Sequence, residues 1–186
     1  MIEILPYQLD WPVHFERLAA RIRTALGQRA LRVDHIGSTS VPGLSAKDVI
    51  DIQVTVPALG ADIALDLRSA GLVQRGQVRL DHVPPGEVAD AAEWSKLLFA
   101  QPPDERRAHV HVRVAGRRNQ RYALLFRDYL RAHPATAEAY AELKRRLAAS
   151  LSDPKDYPEV KDPAVDLIYL AAQAWAAQSA WAPTQD

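Results

Sequence analysis

Apolar residues recur at helical spacing near both ends of the chain and run together or alternate in its middle. Phe15, Leu18, Ile22 and Leu26 share one helical face. Asp10-Trp11-Pro12 offers an N-cap and a first-turn proline, and Gly27 suits the stop. Leu31 to Ile36 reads as a strand ending at Gly37. Val49 to Val56 is a stronger one, β-branched at most positions and stopped by Pro57. Ala61 to Ala70 fits a helix closed by Gly71. Leu72 to Leu80 and Trp94 to Phe99 carry weaker strand patterns, joined through Val83-Pro84-Pro85-Gly86, and His109 to Val114 alternates as a half-buried strand should.

Beyond Gly116 the period changes. Tyr122, Leu125, Phe126, Tyr129 and Leu130 form one helical stripe, and Pro134 separates it from a second helix bearing Ala137, Tyr140, Leu143 and Leu147. A turn-rich stretch, residues 152 to 158, leads to a last helix expected from about Pro163 to Ala180. Strands in the middle and helices at the ends predict an α+β fold. Residues 1–182 are expected to form a single domain, with residues 183–186 a frayed tail.

At 186 residues the chain is long enough for a substantial core, and 48% hydrophobic with 25% charged residues is ordinary for a globular protein. Basic and acidic residues balance at 23 each, so no bulk attraction to nucleic acid or to an anionic membrane is expected. The absence of cysteine removes disulfides, thiolate nucleophiles and cysteine-ligated zinc. No apolar run approaches the ~20 residues of a membrane span, and the N-terminus lacks a signal-peptide pattern, so a cytoplasmic location is expected.

The segment His35-Ile36-Gly37-Ser38-Thr39-Ser40-Val41-Pro42-Gly43-Leu44, with Lys47 and Ile50-Asp51-Ile52, resembles the GrpB family of small bacterial proteins. The likeness continues through His109-Val110-His111-Val112, Leu125 to Arg131, Tyr140, Leu143-Lys144 and Tyr157…Lys161, in the family's order. It implies a polymerase-β-like nucleotidyltransferase core: a mixed sheet flanked by helices, a helical C-terminal region, and a site at the Gly-Ser turn. Some actinobacterial dephospho-CoA kinases carry a similar domain, but no Gly-x-x-x-x-Gly-Lys-Ser/Thr loop occurs in this sequence.

Nucleotidyl transfer needs a triphosphate held in place beside divalent metal. A Gly-Ser turn opening a short helix answers the first need, because glycine admits phosphate close to the backbone. Gly37, Ser38, Thr39, Ser40, Lys47, Arg127 and Lys144 are therefore the expected phosphate-binding residues. Arg127 has the alternative of pairing with Asp128 to pin helix to sheet. Asp51, 13 residues after Ser38, matches the first carboxylate of the superfamily's Asp-x-Asp/Glu and is the expected catalytic and metal-binding residue. The second position is Gln53, an uncharged amide, and Asp48 should face the other side of the strand.

Two readings stay open. In one, His109 and His111, with Asp51 and His35, hold a divalent metal, magnesium or manganese with zinc a further option. In the other, the acidic set has decayed, and the domain binds a nucleotide or related phosphate compound without catalysis, in a role linked to coenzyme A metabolism. Arg106, Arg107, Arg113, Arg117, Arg118 and Arg121 form a local basic stretch that could attract an anionic ligand, and Lys161 matches a family position. The expected partner is a small phosphate-bearing molecule, with no nucleic acid and no membrane. The sequence leaves the oligomeric state open.

Overall fold

A computed structural model describes residues 2–153 and 155–184. Its helices are α1 (Trp11–Leu26), α2 (Ala61–Ser69), the single turn α3 (Ala91–Trp94), α4 (Arg118–Ala132), α5 (Pro134–Ser150) and α6 (Tyr157–Ser179). Its strands are β1 (Arg32–Ile36), β2 (Ile50–Val56), β3 (Val73–Gln74), β4 (Arg79–Leu80), β5 (Ser95–Ala100) and β6 (Ala108–Val114). They form a mixed sheet in the order β1-β2-β6-β5-β3, with β4 also on β5. The β2–β6 pair is parallel and the rest are antiparallel. The α+β layer read from the sequence is the architecture found.

The two-residue period of the strands assigns the faces. Ile50, Ile52, Val54 and Val56 of β2 and Val110 and Val112 of β6 pack with Trp11, Phe15, Leu18, Ile22 and Leu26 of α1 and with Ile63 and Leu67 of α2. Each such side chain, fully buried, contributes about 1.5–3 kcal/mol. The alternate residues point to the opposite face, where Asp34, Asp51, Gln53, His109, His111 and Arg113 meet α4 and the helices behind it. Those helices pack against one another through Leu125, Phe126, Tyr129, Leu130, Tyr140, Val165 and Tyr169. One face of the sheet is thus an apolar core, and the other is polar, roofed by helices.

Several local expectations are corrected. Asp10 makes no side-chain cap and pairs instead with His14 and Arg106. Residues 72 to 80 yield only two short β-bridged segments, because Gly76 turns the chain at φ +80° between them. The last helix begins at Tyr157, earlier than expected: Pro158 starts it and Pro163 is carried inside it. Thr184, placed in the expected frayed tail, is held by Arg127, Arg32 and Asp128. Residues 185 and 186 lie outside the described residues.

Candidate metal and anion site

The polar face opens into a cavity of about 580 Å³ between the C-terminal helices and the start of β2 and β6. Parallel pairing sets Asp51 beside His109 and Gln53 beside His111, so the three odd-numbered side chains Asp51, His109 and His111 share one face. Asp51 Oδ1 lies 3.2 Å from His109 Nδ1 and 3.8 Å from His111 Nε2. One donor atom from each of the three falls within 4.8 Å of the others, the one such group found among the described residues. Two ligands on a common ion at about 2.0–2.2 Å stand roughly 3–4 Å apart, so small side-chain adjustments suffice and the donor set fits a divalent metal.

Protonation favours ligation. Burial works to raise Asp51, but its bonds to His109 and His111 outweigh that and hold it well below the usual carboxylate range. Burial, with Arg113 and Lys96 nearby, draws His111 down to about 4 against the pull of Asp51, leaving a neutral ring. Lys96 Nζ stands 3.2 Å from His111 Nδ1. Burial and Arg113 lower Lys96 against the pull of Asp81, with which it pairs.

Gln53 takes no ligand role. It is fully buried, donates to Gln120 O at 3.0 Å and accepts from Arg113 at 2.6 Å. Arg113 in turn makes a two-pronged contact with Asp81, which also pairs with Lys96 and Asn119. The amide where a second carboxylate was sought therefore braces β2 against α4.

At the Gly-Ser turn, Gly37 has φ +69° and ψ −172°, a region nearly closed to residues with a Cβ. Residues 38–40 make a single 3-10 turn. Ser38 lines the cavity and accepts from Lys144 Nζ at 3.0 Å. The Thr39 hydroxyl is already engaged, 3.2 Å from Val49 O and 3.0 Å from His35 Nε2. Ser40 donates to Gly37 O at 2.6 Å and does not reach the cavity.

Lys47, Arg107, Lys144 and Lys161 converge on the same space. The first three have no carboxylate partner among the described residues, and Lys161 has only Asp162 at 3.6 Å. Burial and then Lys161 and Arg107 bring Lys47 down to about 8, and burial with Lys161 and Arg145 brings Lys144 to about 7. Lys47 lies 3.6 Å over the Tyr157 ring, whose buried hydroxyl has no hydrogen-bond partner. Mutually repelling amines and an orphan hydroxyl are the features an anion would satisfy.

Two expected site residues lie elsewhere. His35 pairs with Ile52, so strand alternation turns it to the α1 face, where its ring stacks on Phe15 at 4.8 Å. It is not part of the Asp51 cluster. Arg127 has no exposed surface; it contacts Asp128, Asp34, the His35 carbonyl and Thr184, the pinning alternative rather than anion binding. Asp48 faces away from the site, as expected, and accepts from Trp11 Nε1 at 2.9 Å.

Sequence reasoning passed over Lys96, Asp81 and Tyr140 as site residues. Asp81 and Lys96 sit in weakly patterned segments, and only the sheet pairing brings them to His111. Arg107 was visible only as one of a basic run. Most of that run is tied up: Arg106 with Asp48, Arg113 with Asp81, Arg117 with Glu93 and Arg118 with Glu87.

Comparison with known proteins places this arrangement. The family model described as GrpB protein matches residues 1–170. The crystal structure of the conserved protein GrpB from Enterococcus faecalis superposes with a TM-score of 0.72 at 30% identity, covering 93% of this chain and 99% of that one. A UPF0157 protein of Halalkalibacterium halodurans is 35% identical over 93% of this chain and 83% of its own length. A dephospho-CoA kinase of Mycolicibacterium paratuberculosis is 36% identical over 98% of this chain but only 48% of its own length. The chain thus spans about half the length of the dephospho-CoA kinases it matches.

Proposed function

This chain belongs to the GrpB family, and we propose that its cavity binds a nucleoside triphosphate, or a related phosphate compound, beside a divalent metal. The observation that carries the reading is the meeting in one cavity of the Asp51–His109–His111 donor set and the amines of Lys47, Lys144 and Lys161 with Arg107. The chain is electrically neutral overall, so this concentration of positive charge is local.

Asp51, His109 and His111 would hold the ion, and two imidazoles with one carboxylate suit manganese, iron or zinc better than magnesium. A bound ion would supply charge neutralisation at phosphate oxygens. The protein's own groups do the rest. Lys47, Lys161 and Arg107 draw the anionic tail inward, Lys144 fixes the Ser38 hydroxyl, and Gly37 keeps the backbone low beside Asp51. With such a ligand in place, transfer of its nucleotidyl group is the reaction the fold would support.

A second reading, binding without transfer, draws on the bracing role of Gln53 where the superfamily pattern has a second carboxylate. The names of the longer relatives would then point to coenzyme A precursors as ligands. Calorimetry with nucleotides and coenzyme A precursors, each with magnesium, manganese or zinc, tests the proposal. It predicts metal-dependent binding that weakens in Lys47→Ala and Lys161→Ala. Absence of binding by any phosphate compound contradicts it. Release of pyrophosphate separates transfer from binding alone.

A further inference from the structure

Lys144 is the one buried lysine among the described residues, 3% exposed and with no carboxylate partner there. Its Nζ meets Ser38 Oγ at 3.0 Å, bonds the Ser45 carbonyl, and stands 4.6 Å over the Tyr140 ring. A buried ammonium without a counter-ion is costly, so this site favours the neutral amine and its lone pair. Ser38 differs from its two hydroxylated neighbours. Thr39 and Ser40 each donate to a main-chain carbonyl, whereas the Ser38 oxygen faces both the amine and the open cavity. The Tyr140 hydroxyl also touches Ser38, but burial raises its pKa and keeps it protonated. Of the groups around that oxygen, Lys144 is the one able to accept its proton.

We propose that Ser38 is a nucleophile activated by Lys144 as general base, and that it accepts a nucleotidyl group from the bound nucleoside triphosphate. The inference rests on the reading that this cavity takes such a triphosphate. Ser38 Oγ attacks the α-phosphorus, forming an Oγ–P bond as the α–β phosphoanhydride bond breaks. The hydroxyl proton moves to Lys144 Nζ, and pyrophosphate departs with the bond's electron pair. Lys47, Arg107 and Lys161 lie where they can stabilise the charge on that leaving group.

The full chain, incubated with each common ribonucleoside triphosphate and manganese and then acid-quenched, should gain the mass of one nucleotidyl group. Fragmentation should place it on Ser38, with pyrophosphate released in equal amount. Ser38→Ala should gain no mass even at triphosphate concentrations raised until the variant is saturated. Lys144→Met should slow the gain by roughly 100-fold or more, in the range expected of a general base. In wild type the rate should rise as pH passes about 7, with Lys161 and Arg145 the charged groups facing the amine. If triphosphate binds and no adduct forms, the inference falls and the binding reading stands. An adduct on another residue, an adduct carrying only the γ-phosphate, or an undiminished rate in Lys144→Met also overturns it. If no triphosphate binds, both fall together.

Discussion

Gly37 and Asp51 touch: a Cβ on Gly37 would lie 2.5 Å from Asp51 Oδ2. The glycine that lets the turn adopt its positive φ also leaves room for the carboxylate, so the turn and the donor set are one unit. Gly37→Ala should therefore destabilise the fold by roughly 1–3 kcal/mol through backbone strain, and should push Asp51 out of line. Removing the carboxylate as well should recover part of that loss. In urea unfolding, the double variant Gly37→Ala/Asp51→Ala should show a coupling of about 0.5–3 kcal/mol. Simple additivity would mean that the two residues do not share this space.

Arg127 is expected to matter for stability and not for ligand. It is fully buried against Asp34, Asp128 and Thr184. Arg127→Met should cost on the order of 3–5 kcal/mol, because it strands buried acceptors and a charge. Under conditions where the variant remains folded, phosphate-compound affinity should be unchanged. A loss of affinity without a loss of stability would return this arginine to the anion site.

Asp81 links loop and sheet through Arg113, Lys96 and Asn119. Burial raises its pKa, yet Arg113 and Lys96 outweigh burial and hold it well below the ordinary value. A depressed carboxylate stabilises the fold fully above its unfolded pKa of about 3.9, and the contribution is lost as pH falls below that. Asp81→Asn should flatten the acid limb of the stability curve and weaken the fold at pH 7. An acid limb identical to that of wild type would show that Asp81 does not carry it.

Lys144 gives a slope of the same sign at alkaline pH. Its folded pKa of about 7 lies below the unfolded value of about 10.4, so the unfolded chain binds more protons between those limits. Its contribution to wild-type stability should rise from pH 7 to pH 10, and Lys144→Met should remove that rise. Lys47 has a value of about 8, and binding of an anion beside it favours its charged form, so at pH 8 ligand binding should take up protons. Calorimetry in buffers of differing ionisation enthalpy reads the uptake directly, and zero uptake would place the anion away from Lys47.

Much of the fold was legible because its signals are local. The apolar stripe of α1, the β-branched run of β2 and the alternation of β6 each sit on one element, and strand period alone puts His109 and His111 on one face, to which the parallel β2–β6 pairing brings Asp51. His35 was misjudged because its face depends on register: antiparallel pairing with Ile52 turns it toward Phe15. Arg127 reads in sequence like any helical arginine, and only packing brings Asp34 and Thr184 to it. Lys96 and Asp81 come from segments with little pattern, and what assigns them is the position of β5 beside β6. Gln53 is a vacancy in the acidic set by sequence pattern, but packing makes its amide a strut between Arg113 and α4.

Manganese and zinc binding to untagged protein, measured by equilibrium dialysis with and without a nucleoside triphosphate, tests the shared metal–anion cavity most directly. One ion per chain is expected, with binding roughly tenfold or more weaker in Asp51→Asn while the fold is unchanged, and with mutual strengthening of ion and nucleotide. Ion binding that is absent, or equal in wild type and Asp51→Asn, would contradict it.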